Sequence, residues 1–399
     1  MLRFLSFLPC LAVAVMTSTE IARAQAPVLL PDEAVRAALA RDPALVSRLA
    51  DVEAATGRLR DESAFLRRNP TADIAVSTDG DRLTGSLVQP FSLTGEGRHA
   101  ARSARAGLEA ANASAERARF ETAAATRRAY AQAVLAREFL RFAQNDRTLL
   151  ARLRKVAEAR VAAGEGVDLD LRLARLEEAR AMGAWLDAQA EASESDIDVA
   201  ALIGATPGEL LHDPLMAGPL DPGVASPRSD LIATRAATEA ARAAIARERA
   251  AVFPAIGLGA FYEKDAGDEI FGPAVTVTVP LCRRNRAAVA AARGSLLLAE
   301  AVETSTAARV ATEQARAEER LRSAEDALTT LAPDIDAEAA PALRAIELLF
   351  TSGESNLSDT LLLRFRVVEG QRAWMAARAA VALARIDVAL ARQSESLLP

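Results

Sequence analysis

The strongest constraint on this chain is an internal duplication. Its two tryptophans, Trp185 and Trp374, lie 189 residues apart (374 − 185). The same offset carries Gly164-Glu165 onto Gly353-Glu354, Asp170 onto Asp359, Leu173 onto Leu362 and Arg175 onto Arg364. It also carries Ile197-Asp198-Val199-Ala200 onto Ile386-Asp387-Val388-Ala389 without a gap. Matching alanines alone would mean little. Two tryptophans and a four-residue identity in one frame mean a repeated unit, which has to be found before any element is read. Upstream, Asn69-Pro70 and Phe253-Pro254 each precede a short alternating segment, and Pro90-Phe91 and Pro280-Leu281 each end a second one. From Pro90 to Gly164 is 74 residues, and from Pro280 to Gly353 is 73. The unit reads helix, strand, strand, long helix, tight turn, helix.

From about Glu96 to Ala163 there is no proline, and Ala, Arg, Glu and Leu dominate. These are strong helix formers, and a helix of that length reaches roughly 100 Å. Ala163-Gly164-Glu165-Gly166 ends it, since glycine is favoured just past a helix terminus. A second helix is expected from Asp168 to Leu202. Leu149, Leu153 and Val156, with Leu169, Leu173 and Leu176, have coiled-coil spacing and predict the seam of an antiparallel hairpin. The second half repeats this from Arg286 to Thr351 and from Ser358 to Arg392, with Pro333 and Pro341 expected to kink or break its long helix. The abundant alanine allows close side-by-side helix packing. With charged residues at 26% and aromatics at 4%, the composition favours long helices over a thick globular core.

The alternating segments predict strands. Ala72, Ile74 and Val76 alternate with Asp73, Ala75 and Ser77, and Leu83, Gly85 and Leu87 with Thr84, Ser86 and Val88. Ile256, Leu258, Ala260 and Tyr262, then Val275, Val277, Val279 and Leu281, do the same in the second half. Period two puts each set on one face of a sheet. Asp79-Gly80-Asp81 signals a hairpin turn, and Lys264 to Asp268 a longer one. Each strand is about the ~10 residues that cross a bilayer when tilted. Four strands cannot close a membrane barrel, which needs at least about eight; three copies would supply twelve.

The N-terminus has the pattern of a secretory leader: Arg3, an apolar run from Phe4 to Met16, and Ala22-Arg23-Ala24 as a cleavage site, making Gln25 the expected first mature residue. Cys10 falls inside that run, so Cys282 would be the only mature cysteine and no intrachain disulfide is expected. No later apolar run is long enough for a transmembrane helix. The net charge of −6 argues against a nucleic-acid partner. His99 and His212 have no triad or metal-pair arrangement around them, so no catalytic group, metal or cofactor is expected.

Specific stretches carry a resemblance. Ser86-Leu87-Val88-Gln89-Pro90-Phe91 followed by Gly95-Glu96-Gly97-Arg98, and Val279-Pro280-Leu281-Cys282-Arg283-Arg284-Asn285-Arg286, resemble the strand-to-helix junctions of the TolC-like outer-membrane efflux proteins. The basic residues after Pro280-Leu281, and Leu331-Ala332-Pro333, are most similar to the heavy-metal efflux branch. The resemblance covers essentially the whole mature chain. It implies a mainly α fold with a small membrane β part: a homotrimer with a 12-stranded β-barrel in outer-membrane lipid and a 12-helix tube in the periplasm. A periplasmic adaptor and an inner-membrane pump would dock at the tube's far end, and the channel itself performs no chemistry. A periplasmic coiled-coil adaptor or structural protein is the competing class, and the duplicated hairpin argues against it.

The expected organisation is a leader at 1–24 and a first repeat at 25–210, with β-hairpin 71–92 and helical hairpin 96–203. A linker at 211–226 leads to the second repeat at 227–399, with β-hairpin 254–281 and helical hairpin 284–394. The two turns, Gly164-Glu165-Gly166 and Gly353-Glu354-Ser355, are the candidate adaptor-docking tips. Asp170 and Asp359 each lie six residues past their turn glycine. The resemblance places Asp359 at a constricting acidic ring and Phe350 at an aromatic gate. Leu362 and Ser355 depart from family positions that carry a second acid and a gate arginine. Asp170 and Asp359 equally suit the first turn of a helix, where the dipole favours acids.

Overall fold

The computed structural model describes residues 29–77, 82–92, 94–205, 220–252, 255–265, 267–278, 285–331 and 335–399. The leader with Cys10 and Gln25, the Asp79–Asp81 turn, His212, Phe253-Pro254, the Val279–Arg284 junction with Cys282, and Pro333 lie outside the described residues.

Two helices, α1 (Pro31–Leu39) and α2 (Pro43–Ser63), open the first half where one was expected. The cause is Asp42-Pro43. Proline pushes the preceding residue out of the helical region, and the Asp42 side chain accepts from Ala44 N at 2.8 Å as a cap. Strands β1 (Thr71–Val76) and β2 (Arg82–Ser92) follow, then α3 (Glu96–Ala162) and α4 (Asp168–Ile203). The second half contributes α5 (Ser229–Ala250), β3 (Ala255–Asp265), β4 (Asp268–Thr278), α6 (Arg286–Thr330), α7 (Ile335–Ser352) and α8 (Leu357–Arg392). The long helix of this half is therefore two helices, divided between Leu331 and Ile335. Pro341 does not break it but is carried inside α7.

The four strands form one antiparallel sheet in the order β1-β2-β3-β4. Asp265 lies directly opposite Asp268, so the expected longer turn is a two-residue one, with Gly267 at φ 106°. Directly opposite residues share a face. Ile74 and Val76 thus share a face with Leu83, Leu87, Ile256, Leu258, Tyr262, Phe271, Val275 and Val277. The other face carries Asp73, Thr84, Ser86, Gly257, Gly259 and Thr276, together with Val88, Phe261 and Ile270. Most of the apolar side chains on the first face are exposed.

The interior of the helical part is built on α3, which packs against α2, α4, α5 and α8. Half of the residues it buries are alanines, including Ala106, Ala113, Ala123, Ala124 and Ala133. Leu149 and Leu153 are buried as the spacing predicted, with Val156 partly covered. The α4 side of the seam differs. Leu171, Ala174 and Ala181 face inward, while Leu169 and Leu176 point outward. The small Ala174 and Ala181 make room at the seam for the leucines of α3, and Leu169 and Leu176 are left on the free face.

Candidate functional site

Both hairpin turns share a left-handed glycine and the same pair of backbone bonds, to which the second adds Ser355 N to Leu349 O at 3.2 Å. Gly164 has φ 76° and Gly353 φ 85°, a region that costs a residue with a Cβ. Gly164 N donates to Val161 O at 3.0 Å and Glu165 N to Arg160 O at 2.9 Å. Gly353 N donates to Phe350 O at 3.2 Å and Glu354 N to Leu349 O at 3.1 Å. These are Schellman bonds that satisfy the last carbonyls of α3 and α7. Gly166 sits against the end of α3, where an added Cβ would lie 3.0 Å from Val161 N.

The helices that leave the turns start differently. Asn356 caps α8: its Oδ1 accepts from Asp359 N, and its Nδ2 donates to Asp359 Oδ2, both at 2.8 Å. This reciprocal pair is a variant of the capping box. Its counterpart Val167 offers no side chain, and Asp170 N bonds to the Val167 carbonyl at 3.0 Å. Asp359 is exposed and Asp170 half-buried.

The structure brings the two hairpins together just behind these turns. Arg160, at the end of α3, stacks on the Phe350 ring at 4.7 Å and donates to Phe350 O at 2.5 Å. Phe350 is only 2% exposed and sits among Leu149, Leu150, Leu153, Ala157, Ala174, Ala181 and Leu357. Within one chain, Phe350, which the resemblance places at an aromatic gate, is a peg from the second hairpin held in the first. Deeper in, Arg364 of α8 donates from Nε to Asp146 Oδ1 at 2.8 Å, with a second bond to Oδ2, and lies 3.6 Å from Glu177. Arg364 and Asp146 are both buried. Arg160 and Asp146 were missed in the sequence. The available signal was a lone acid at 146 within the apolar stripe Phe142, Leu149, Leu150, Leu153. His99 lies in the first turn of α3, and among the described residues no cluster of three metal-ligating side chains exists.

The sequence matches no known family profile and no curated protein. Solved structures do match. A membrane protein from Pseudomonas aeruginosa is 20% identical with a TM-score of 0.76, over 92% of this chain and 97% of that one. The outer-membrane protein VceC from Vibrio cholerae is 19% identical with a TM-score of 0.72, over 90% and 96%. The MtrE outer-membrane channel of Neisseria gonorrhoeae, in its open state, is 20% identical with a TM-score of 0.70, over 91% and 88%. The chain thus has the fold of outer-membrane channel proteins. It is the TolC-like architecture, mainly helical with a small antiparallel sheet.

Proposed function

We propose that this protein is the outer-membrane exit duct of a three-part efflux pump. Three copies close a 12-stranded barrel in the outer membrane and a 12-helix tube in the periplasm. An adaptor and an inner-membrane pump engage the tips at Gly164–Gly166 and Gly353–Ser355. Solute passes through the lumen without chemical change, and the chain needs no cofactor.

The observation that carries this reading is the sheet. One face presents Ile74, Val76, Leu87, Leu258, Phe271, Val275 and Val277 uncovered, and the other presents mainly small and polar side chains, with Val88, Phe261 and Ile270 among them. A soluble hairpin cap would bury such a face. A membrane barrel turns it to lipid and the polar face to the lumen. The described helices contain none long and apolar enough to cross a bilayer, so the strands are the part suited to that task.

Heavy-metal cations are the substrate class favoured by the resemblance at Val279–Arg286 and Leu331–Pro333. A threefold ring of Asp359 carboxylates at the tip would suit cations. Membrane fractionation tests the whole reading: heat-resistant trimers in the outer membrane are expected. A soluble periplasmic monomer would remove it.

A further inference from the structure

We propose that the helix end of the sheet carries a docking surface for anionic phospholipid in the periplasmic leaflet of the outer membrane. Phe65 and Leu66 enter the edge of the hydrocarbon, and four arginines free of carboxylates hold the phosphates. The inference rests on the outer-membrane channel reading and adds a lipid contact to it.

The connections between helices and strands lie at one level. Arg68 pairs with Glu96 at 3.4 Å, and Gln89 Nε2 donates to Arg68 O at 2.8 Å, which ties the α2–β1 connector to β2 and α3. Thr94 Oγ1 donates to Ala250 O at 3.0 Å, tying the start of α3 to the end of α5. Asn285 Nδ2 donates to Glu248 O at 3.0 Å, tying the start of α6 to that same end. Strands stop and helices begin at this level. In the channel reading it is the boundary between bilayer and periplasm.

Two kinds of side chain stand free there. Phe65 is 90% exposed and Leu66 55%, on a connector held just beyond them at Arg68. Arg67, Arg98, Arg249 and Arg286 are exposed, and among the described residues none of them forms an ion pair. Arg67 is also fixed in place. A Cβ added at Gly97 would overlap its guanidinium, which rests directly on the first turn of α3 in space that only a glycine leaves. The opposite end of the sheet has the other sign. Glu263, Asp265, Asp268 and Glu269 outnumber Arg82 and Lys264 there, and both of those cations are paired. A chain of net charge −6 thus keeps free positive charge at the helix end of its sheet.

The combination selects the partner. Arginine forks bind phosphate through paired, charge-assisted hydrogen bonds. Exposed Phe and Leu beside basic residues suit the boundary between headgroups and acyl chains. Phe65-Leu66 followed at once by Arg67-Arg68 sets an apolar pair beside a basic pair, as a lipid sets its tail beside its phosphate. An acidic protein surface would answer the arginines and leave Phe65 in water. The connector also leads straight into β1, whose Ile74 and Val76 belong to the uncovered apolar face. The surface therefore adjoins the part that the channel reading turns to lipid. Anionic headgroups are favoured over zwitterionic ones because clustered arginines attract net negative charge.

The test uses the full-length protein, purified as trimers in detergent, with phosphatidylglycerol or phosphatidylcholine added in equal amounts. The melting temperature of the helical signal should rise several degrees more with phosphatidylglycerol, and high salt should shrink the difference. With Arg67→Gln, Arg98→Gln, Arg249→Gln and Arg286→Gln combined, phosphatidylcholine should act as before and the extra gain should largely vanish. Phe65→Ser/Leu66→Ser should stay trimeric and lose part of the gain from both lipids. Equal gains from the two lipids, or undiminished gains in either variant, overturn the surface and leave the channel reading standing. Trimers that fall apart on Phe65→Ser/Leu66→Ser assign that pair to a contact between copies and overturn the surface as well. Protein that never reaches the outer membrane removes the channel reading itself.

Discussion

The two helical hairpins share one sequence frame yet sit in different surroundings. Arg364 is 8% exposed and locked on Asp146, while its repeat partner Arg175 is 58% exposed and lies 3.5 Å from Glu158. Met375 is buried, while Leu186, at the same place in the first hairpin, is exposed. The turns share their glycine φ and both Schellman bonds, and the environments of the helix faces differ. A repeat therefore dictates what is local, namely the turn, the helix and the face. Neighbours decide what is buried, and within one chain the second hairpin has the first beside it while the outer face of α4 has none.

The largest expected effect comes from breaking the buried pair. Arg364→Leu strands the Asp146 carboxylate in the interior, which costs about 3–5 kcal/mol when one partner of a buried pair is removed. The helical signal of the detergent-solubilised protein should melt at a clearly lower temperature. Replacing both partners, Asp146→Leu with Arg364→Leu, should recover most of the loss, because two apolar groups leave no charge uncompensated. Arg175→Leu, exposed within the chain, should change the melting of the single chain by under ~1 kcal/mol. Equal losses at Arg364 and Arg175 would erase the contrast between the hairpins.

The turns come next. Valine at either glycine needs a left-handed backbone, at roughly 1–2 kcal/mol. Gly353→Val should be the worse of the two. A Cβ there meets Arg160 Nη2 at 3.2 Å, on the side chain that holds Phe350, whereas a Cβ at Gly164 meets nothing within 4 Å. Efflux should fall in both variants while trimers still form. Normal efflux from both would separate the turns from adaptor docking.

A third contrast lies at the other end of the hairpins. Arg41 donates to Gly204 O at 2.8 Å, and Arg228 donates to Ala391 O at 3.0 Å. Among the described residues, only Arg228 of the two also meets carboxylates, at Asp230 and Glu313. Burial pushes both acids upward, but hydrogen bonds and charge from Arg228, with Arg309, outweigh it and hold both below their ordinary values. A depressed acid stabilises the fold above its unfolded pKa of ~4 and loses that contribution as pH falls through the lower folded value. Acidification below about pH 4 should therefore weaken this junction. Asp230→Asn with Glu313→Gln should flatten that acid limb, and Arg41→Ala should leave it unchanged. An unaltered acid limb in the double variant would show that the carboxylates do not carry it.

Much of this was legible in the sequence because it depends on local rules. The 189-residue frame located both turns, and proline-free Ala-rich runs gave α3 and α4 to within a residue or two. The alternation of Ile74, Val76, Leu258 and Val275 gave the apolar face. What escaped depends on partners distant in the chain. Leu169 and Leu176 fit a coiled-coil spacing, but Ala174 and Ala181 take the seam, where Leu149, Leu150 and Leu153 of α3 fill the space. Phe350 packs against Arg160, 190 residues away in sequence, a contact that no neighbouring residue announces. Asp146 sits 218 residues from Arg364, and no local rule links them.

The smallest effect on stability is expected at the paired aspartates, and there it separates two roles. In Asp359→Asn the new side-chain oxygen still accepts from Asn356 Nδ2, so the α8 start survives without the charge. Asp359→Ala loses that bond and should cost about 0.5–1 kcal/mol. Asp170 has no such side-chain partner at Val167, so both of its substitutions should cost less. If Asp359 lines the narrowest point of a trimer, three carboxylates surround one axis. Single-channel conductance of Asp359→Asn in planar bilayers should then lose cation preference and block by trivalent cations. Asp170→Asn should change selectivity less and so controls for general damage, since it occupies the same place in the repeat. If Asp359→Asn conducts with unchanged selectivity and Asp359→Ala is merely less stable, the carboxylate serves the Asn356 cap. The constriction must then lie elsewhere along the tube.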